Sequence, residues 1–215
     1  MSAPIALSRV HFPVTALGPG RRLGIWFQGC SIRCPGCISG DTWRFAQGGI
    51  QVHEFIEQVK CWLNACDGIT ISGGEPFDQP EALAELLQRL RSVRQTNVLV
   101  YSGHPREDIE HVLGQTQGLI DALISDPYLS HEPQTKPLRG SDNQRLHLLT
   151  PTGAELFGRF VGPGSGLERR LDVMFDEEGS AWLAGIPERG DLPRLQSILV
   201  QQGHRAHISQ VPETP

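Results

Sequence analysis

The sequence is short of the features that would mark a secreted, membrane-bound or nucleic-acid-binding chain. Met1 to Val10 carries no long apolar stretch behind a charged start, so no secretory leader is expected. No run of about 18 apolar residues occurs, so no transmembrane helix and no membrane partner are expected. Positive charge is not in excess: 19 Lys and Arg face 24 Asp and Glu, for a formal net charge of −5. That balance offers a phosphate backbone no basic face and argues against nucleic acid as the main partner. There is no internal repeat and no low-complexity tract. The five cysteines do not read as a disulfide framework, because the number is odd and three of them crowd into one short segment. A reducing, cytoplasmic compartment is the expectation.

What is present is an ordinary globular composition, 39% hydrophobic and 20% charged, over 215 residues. That length suits one domain, or one domain with an appendage. Leu23-Gly24-Ile25-Trp26-Phe27, Ile69-Thr70-Ile71, Val98-Leu99-Val100-Tyr101 and Leu119 to Ile124 read as strands. Between them, Val52 to Leu63, Glu81 to Val93 and Arg106 to Leu113 have helical spacing of apolar residues. Alternation of this kind predicts an α/β fold with parallel strands and right-handed crossovers. The Gly-rich segments after the first three strands then fall at the C-terminal strand ends, where α/β folds place their chemistry.

After Asp126 the texture changes. Pro127 to Asn143 is a polar loop with three prolines, and Leu146 to Leu149 offers one more strand. The division expected is a core over residues 1–150 and an extension over 151–215. In the extension, Gly162 to Gly166 reads as a linker. Leu171, Val173 and Phe175 alternate toward a turn at Glu177-Glu178-Gly179-Ser180 and a return through Trp182-Leu183-Ala184, a β-hairpin. Asp191 would cap a helix carrying Leu192, Leu195, Ile198 and Leu199. The tail Val211 to Pro215 is expected to fray.

The chemistry concentrates in Cys30-Ser31-Ile32-Arg33-Cys34-Pro35-Gly36-Cys37, spaced C-x3-C-x2-C. Three thiolates on one loop can wrap a single metal centre. A four-iron cubane held by three of them keeps one iron open for a ligand. Zinc is the alternative, with His11 or His53 as a fourth ligand. Cys61 and Cys66 lie five apart on or near a helix, share no face, and read as core residues.

With its flanks, the loop resembles the radical S-adenosylmethionine superfamily, and in particular the glycyl-radical activating enzymes. The matching residues are Gly18-Pro19-Gly20-x-Arg22, Trp26-Phe27-Gln28-Gly29-Cys30, Arg33-Cys34-Pro35-Gly36-Cys37, Asp41-Thr42-Trp43, Ser72-Gly73-Gly74-Glu75, Tyr101-x-Gly103 and Arg139-Gly140-Ser141-x-Asn143-Gln144. They span about Val10 to Leu149. The resemblance implies a partial, open (β/α) TIM-like barrel of parallel strands, followed here by the small hairpin-plus-helix extension. It implies a [4Fe–4S] cluster on Cys30, Cys34 and Cys37. The open iron would chelate S-adenosylmethionine, whose reductive cleavage yields a 5′-deoxyadenosyl radical. In the activases that radical takes a hydrogen from a backbone glycine of a partner enzyme.

Residue roles follow from the same resemblance. Gly73, Gly74 and Glu75 would approach the methionine amino group, as a carboxylate suits an ammonium and glycine lets backbone close in. Gly36 and Ile38 flank the last ligand and would touch adenine. Gly36 stands where many superfamily members have an aromatic side chain. Ser102 and Asp126, ending strands, would bind ribose or carboxylate, although Ser and Asp also end strands for structural reasons. Arg139 and Asn143 would organise the site or the partner surface. Arg21, Arg22, Arg33 and Arg44 form a basic region suited to an acidic partner, to a flavodoxin-like reductant, or simply to solvent.

Three functions remain open on sequence alone. One is an activase that installs a glycyl radical on a protein substrate. A second is a radical enzyme acting on a small molecule or peptide, which the extension favours. The third is a non-catalytic iron–sulfur module, against which Glu75 and its glycines argue.

Overall fold

The computed structural model describes residues 2–163, 171–175 and 181–210. The expected turn at Glu177 to Ser180, the linker residues 164–166 and the tail 211–215 lie outside the described residues. In chain order the strands and helices are β1 (Pro4–Ile5), β2 (Leu7–Val14), β3 (Arg22–Phe27), β4 (Ile50–Gln51), α1 (Val52–Ala65), β5 (Gly68–Gly73), α2 (Pro80–Val93), β6 (Asn97–Tyr101), α3 (Glu110–Gln115), β7 (Ala122–Ser125), β8 (Arg145–Leu148), α4 (Pro151–Phe157), β9 (Leu171–Phe175), β10 (Ala181–Gly185) and α5 (Asp191–Gln201).

The main sheet has six strands in the order β2-β3-β5-β6-β7-β8. The four inner strands are parallel, as alternation with helices requires. Both edges are antiparallel: β2 on β3 and β8 on β7. The result is a mixed α/β sheet rather than a purely parallel one. β2 was not expected. Its apolar residues do not alternate, because its pairing with β3 shifts register twice, and Pro13 sits in it, which only an edge strand tolerates.

Alternation along the inner strands gives the sheet two faces. Leu23, Ile25, Phe27, Ile69, Ile71, Val98, Val100 and Leu123 face α1, α2 and α3 in one large core. From α1 that core takes Val52, Phe55, Ile56, Val59 and Leu63; from α2 it takes Leu83, Leu86, Leu87 and Leu90. Each helix begins where its cap lies. Gln51 and Glu54 cap α1 reciprocally, and Pro80 opens α2 at a position whose missing N–H costs nothing.

The opposite face carries Trp26, Leu99, Tyr101, Ala122 and Ile124, and residues after position 150 cover it. Phe157 and Phe160, from α4 and the turn behind it, pack on Leu99, Ala122 and Ile124. The β9–β10 hairpin packs Met174 and Ala184 on Val14, Leu17 and Trp26. The Asp172 carboxylate accepts from Thr15 N (2.6 Å), Thr15 Oγ1 (2.7 Å) and Ala16 N (2.8 Å), tying the hairpin to the end of β2. α5 buries none of its side chains and leaves Ile198 and Val200 exposed.

Two expectations change. Arg22 belongs to no basic surface: it is fully buried. Its Nε donates to Thr70 Oγ1 at 2.6 Å, Nη1 to Asn97 Oδ1 at 2.8 Å and Nη2 to the Ile69 carbonyl at 2.6 Å. Burial, uncompensated by a paired carboxylate, lowers its pKa to about 10. Of the two spare cysteines, Cys66 is a core residue and Cys61 is exposed on α1. Among the described residues no helix is long and apolar enough to cross a membrane.

Candidate functional site

The three clustered cysteines occupy the loop after β3. That loop is closed on itself: Gly29 N donates to Thr42 O at 2.7 Å and Cys30 N to Trp43 O at 3.2 Å. This explains why Asp41-Thr42-Trp43 accompanies the cysteines. Gly29 (φ +104°), Arg33 (φ +54°) and Gly36 (φ +79°) take left-handed backbone, so the chain coils tightly within the loop. All three thiols are free; Cys30 is buried, and Cys34 and Cys37 are half-buried. Burial pushes all three pKa values up, that of Cys34 to about 11; Cys37 and Cys30 raise Cys34 further, Cys30 raises Cys37, and Glu75 and Asp78 raise Cys30.

Ser39 N donates to the Cys37 sulfur at 3.4 Å, and the nearby amides of Ile32 and Arg33 at Cys30 and of Tyr128 at Cys34 act against burial by favouring the thiolates. Three free thiols on one loop fit a cluster whose negative charge is spread over sulfur. Among the described residues no three such side chains close on one point as ligands of a single ion. A cubane, with a separate iron for each thiolate, does not ask them to.

Gly73 and Gly74 lie at the end of β5, directly against this loop. A Cβ on Gly73 would stand 2.4 Å from Phe27 N, and one on Gly74 would stand 2.0 Å from Gly29 O. Gly74 N donates to Phe27 O and Glu75 N to Gly29 O, both at 2.8 Å. The glycine pair thus lets β5 and the start of the cysteine loop meet backbone to backbone. Glycine here serves the approach of two chain segments, whatever ligand the same amides later meet.

Glu75 is 1% exposed. Its Oε1 accepts from Phe77 N and Ser102 Oγ at 3.0 Å each, and its Oε2 from Gly103 N at 2.7 Å. Burial raises its pKa to about 7 against these donors. Ser102 therefore touches Glu75 and in turn accepts from His104 N at 3.0 Å. Cys30, Cys34, Cys37, Gly36, Ile38, Gly73, Gly74, Glu75 and Ser102 all lie on the loops after β3, β5 and β6. Those loops are joined by the contacts just described.

The other three predicted residues lie beyond β7, where Asp126 N donates to His104 O at 3.0 Å and so meets the loop after β6. Asp126 (φ +84°) follows β7, and its carboxylate is held by Arg145 at 2.7 and 3.0 Å and by Ser125 Oγ at 2.7 Å. Burial would raise its pKa, but these donors outweigh it and the net shift is downward. Arg139 is buried and donates to the carbonyls of Pro137 (3.1 Å), Phe160 and Val161 (3.2 Å), away from the cysteines. Asn143 Nδ2 donates to Pro127 O at 2.8 Å, while its buried Oδ1 has no partner.

Sequence reasoning passed over three contacts to the loop. Asp78 holds Ser31, and the indole of Trp43 donates toward Cys37. From the far end of the chain, Ser209 Oγ donates to Ile38 O at 2.6 Å, Gly40 N to Ser209 O at 3.2 Å and Gln210 Nε2 to Gly36 O at 3.4 Å. Asp78 was within reach as the third residue after Glu75 in the same turn. The Ser209 contact has no sequence signal, because it joins positions some 170 apart.

Comparison with known proteins comes to rest on the same residues. The family described as a 4Fe-4S single cluster domain matches residues 16–147. The chain is similar to the anaerobic ribonucleoside-triphosphate reductase-activating protein of Salmonella typhi, 30% identical over 149 residues, which are 65% of this chain and 96% of that protein. The protein of the same description from Enterobacteria phage T4 is 28% identical over 134 residues, 60% of this chain and 85% of the relative. The pyruvate formate-lyase-activating enzyme of Clostridium pasteurianum is 32% identical over 104 residues, 46% of this chain and 44% of that enzyme.

Proposed function

From the premise that this chain belongs to the 4Fe-4S single cluster domain family, and within it to the radical S-adenosylmethionine enzymes of the glycyl-radical activase type, we propose that it reductively cleaves S-adenosylmethionine and installs a glycyl radical on a partner enzyme. The observation that carries the reading is the junction of the free-cysteine loop with Gly73-Gly74-Glu75 at the C-terminal ends of parallel strands.

Cys30, Cys34 and Cys37 would hold the cluster, their sulfurs steadied by the N–H groups of Ile32, Arg33, Tyr128 and Ser39. A [4Fe–4S] cluster held there would supply the single electron that reductive cleavage of S-adenosylmethionine needs. Gly73, Gly74 and Glu75 would present backbone and carboxylate to the methionine amino group. Gly36 and Ile38 would border the adenine, and Ser102 would set the Glu75 carboxylate. Asp126 and Asn143 would line the far side, with Arg139 bracing the loop that carries them.

The parallel inner strands, helices on one face and loops converging at one end support reading the sheet as a partial, open (β/α) barrel. Residues 1–150 would be the catalytic core, since the family match ends at residue 147, and 151–215 an extension of separate role. Of the basic residues named from the sequence, Arg21, Arg33 and Arg44 would suit a flavodoxin-like reductant. The test is a candidate glycyl-radical enzyme incubated anaerobically with the reduced protein and S-adenosylmethionine. An organic radical signal on that enzyme is expected, and its absence despite S-adenosylmethionine cleavage removes the activase assignment.

One observation favours a second reading, a radical enzyme acting on a small molecule or peptide. The hairpin and α4 cover the sheet face opposite α1–α3, and the family match ends at residue 147, before them. If S-adenosylmethionine is cleaved and no protein partner accepts the radical, this reading takes its place.

A further inference from the structure

We propose that Asp78 is a positioning residue for the cysteine loop, holding the segment after Cys30 through Ser31 and placing a fixed negative charge beside the first cluster ligand. The proposal rests on the reading that Cys30, Cys34 and Cys37 hold the cluster.

Asp78 ends the short 3-10 turn Pro76–Asp78, for which Glu75 is the cap. Its Oδ2 accepts the Ser31 amide at 2.7 Å and its Oδ1 the Ser31 hydroxyl at 2.9 Å. His104 Nε2 stands 3.4 Å from the same Oδ1. One carboxylate therefore ties together the loops that follow β3, β5 and β6. Its side chain is 14% exposed, so solvent screens it poorly.

Two physical consequences follow. The first is orientation. Ser31 is the residue directly after Cys30, and its amide is spent on Asp78. The sulfur of Cys30 is left to the amides of Ile32 and Arg33. Hydrogen bonds to sulfur are one of the protein's levers on cluster potential, and holding Ser31 selects which amides act. The second is charge. Asp78 is near enough to act electrostatically on the Cys30 sulfur. A fixed anion beside a centre that gains an electron opposes the gain and lowers the reduction potential. A low potential is what reductive cleavage of a sulfonium demands.

The experiment uses the full chain, reconstituted anaerobically, with iron content and EPR-monitored midpoint potential measured for wild type, Asp78→Asn, Asp78→Ala and Asp78→Glu. Asp78→Asn keeps the size and one acceptor and removes the charge; full cluster content with a higher potential is expected. Asp78→Ala removes the Ser31 contact as well, so lower iron content and an altered EPR line shape are expected. Asp78→Glu restores the charge and returns the potential toward wild type. Wild-type potential and line shape in both Asp78→Asn and Asp78→Ala overturn the proposal. If Asp78→Ala does not fold, Asp78→Asn decides alone. A Cys34→Ala control separates the two levels: a cluster that survives it removes the ligand reading, and the proposal with it.

Discussion

Replacing Gly74 by alanine tests the meeting of β5 with the cysteine loop at its tightest point. The added Cβ would sit 2.0 Å from Gly29 O and 2.7 Å from Gly29 C, both backbone atoms with no rotamer to yield. The two segments must separate by about an ångström to relieve the contact. Gly74 N to Phe27 O and Glu75 N to Gly29 O, each 2.8 Å, then stretch beyond hydrogen-bonding range. Overpacking of this kind costs about 1–3 kcal/mol, and each lost hydrogen bond about 1 kcal/mol. A destabilisation of roughly 3–5 kcal/mol is expected, a large part of what a domain possesses. Urea unfolding of Gly74→Ala beside Gly114→Ala measures it. Gly114 lies in α3 with open space where its Cβ would go, so that variant should be neutral or stabilised by up to about 1 kcal/mol. Equal midpoints for the two variants would refute the backbone-to-backbone account of the glycine pair.

Other expectations follow from single residues. Arg22→Lys replaces a planar fork by a point donor, leaving one or more of Thr70, Asn97 and the Ile69 carbonyl unpaired; denaturant unfolding should show a loss of about 1–3 kcal/mol for each orphaned group, and a wild-type midpoint would contradict that network. Glu75 carries a pKa raised to about 7 by burial, so the folded state holds its proton where the unfolded chain releases it; its contribution is complete below the unfolded pKa of about 4.3 and declines as pH rises through 7, by up to roughly 3–4 kcal/mol. In Glu75→Gln that part of the pH dependence of unfolding should vanish, and an unchanged profile would count against it. Truncation after Gln202 removes the Ser209 and Gln210 contacts; hydrogen exchange at Gly40 should accelerate without loss of the core's melting transition, and unaltered exchange would show that the tail does not rest on the loop.

The inner sheet was legible because its strands and helices carry their periods openly: Ile69-Thr70-Ile71 and Val98 to Tyr101 are short apolar runs, and α2 shows its leucine face at helical spacing. The edges were not. β2 hides its alternation behind two register shifts and Pro13, and α4 is seven residues whose burial depends on Phe157 meeting a distant sheet face. At the site, spacing identified the cysteines, while the direction of buried side chains was invisible. Arg22 reads as surface charge until Thr70 and Asn97 are seen around it. Arg139 lies in the right loop and turns toward Phe160. Ser102 and Glu75, 27 residues apart, became partners only through the parallel register of β5 and β6.

The central claim is that the loop of Cys30, Cys34 and Cys37 joined to Gly73-Gly74-Glu75 makes a reductive S-adenosylmethionine-cleaving centre. The most direct measurement is 5′-deoxyadenosine formed by the anaerobically reconstituted, dithionite-reduced protein, with Cys34→Ala alongside. 5′-Deoxyadenosine is expected from the wild type, and neither product nor cluster absorbance from Cys34→Ala. An intact four-iron cluster that yields no 5′-deoxyadenosine would contradict the claim.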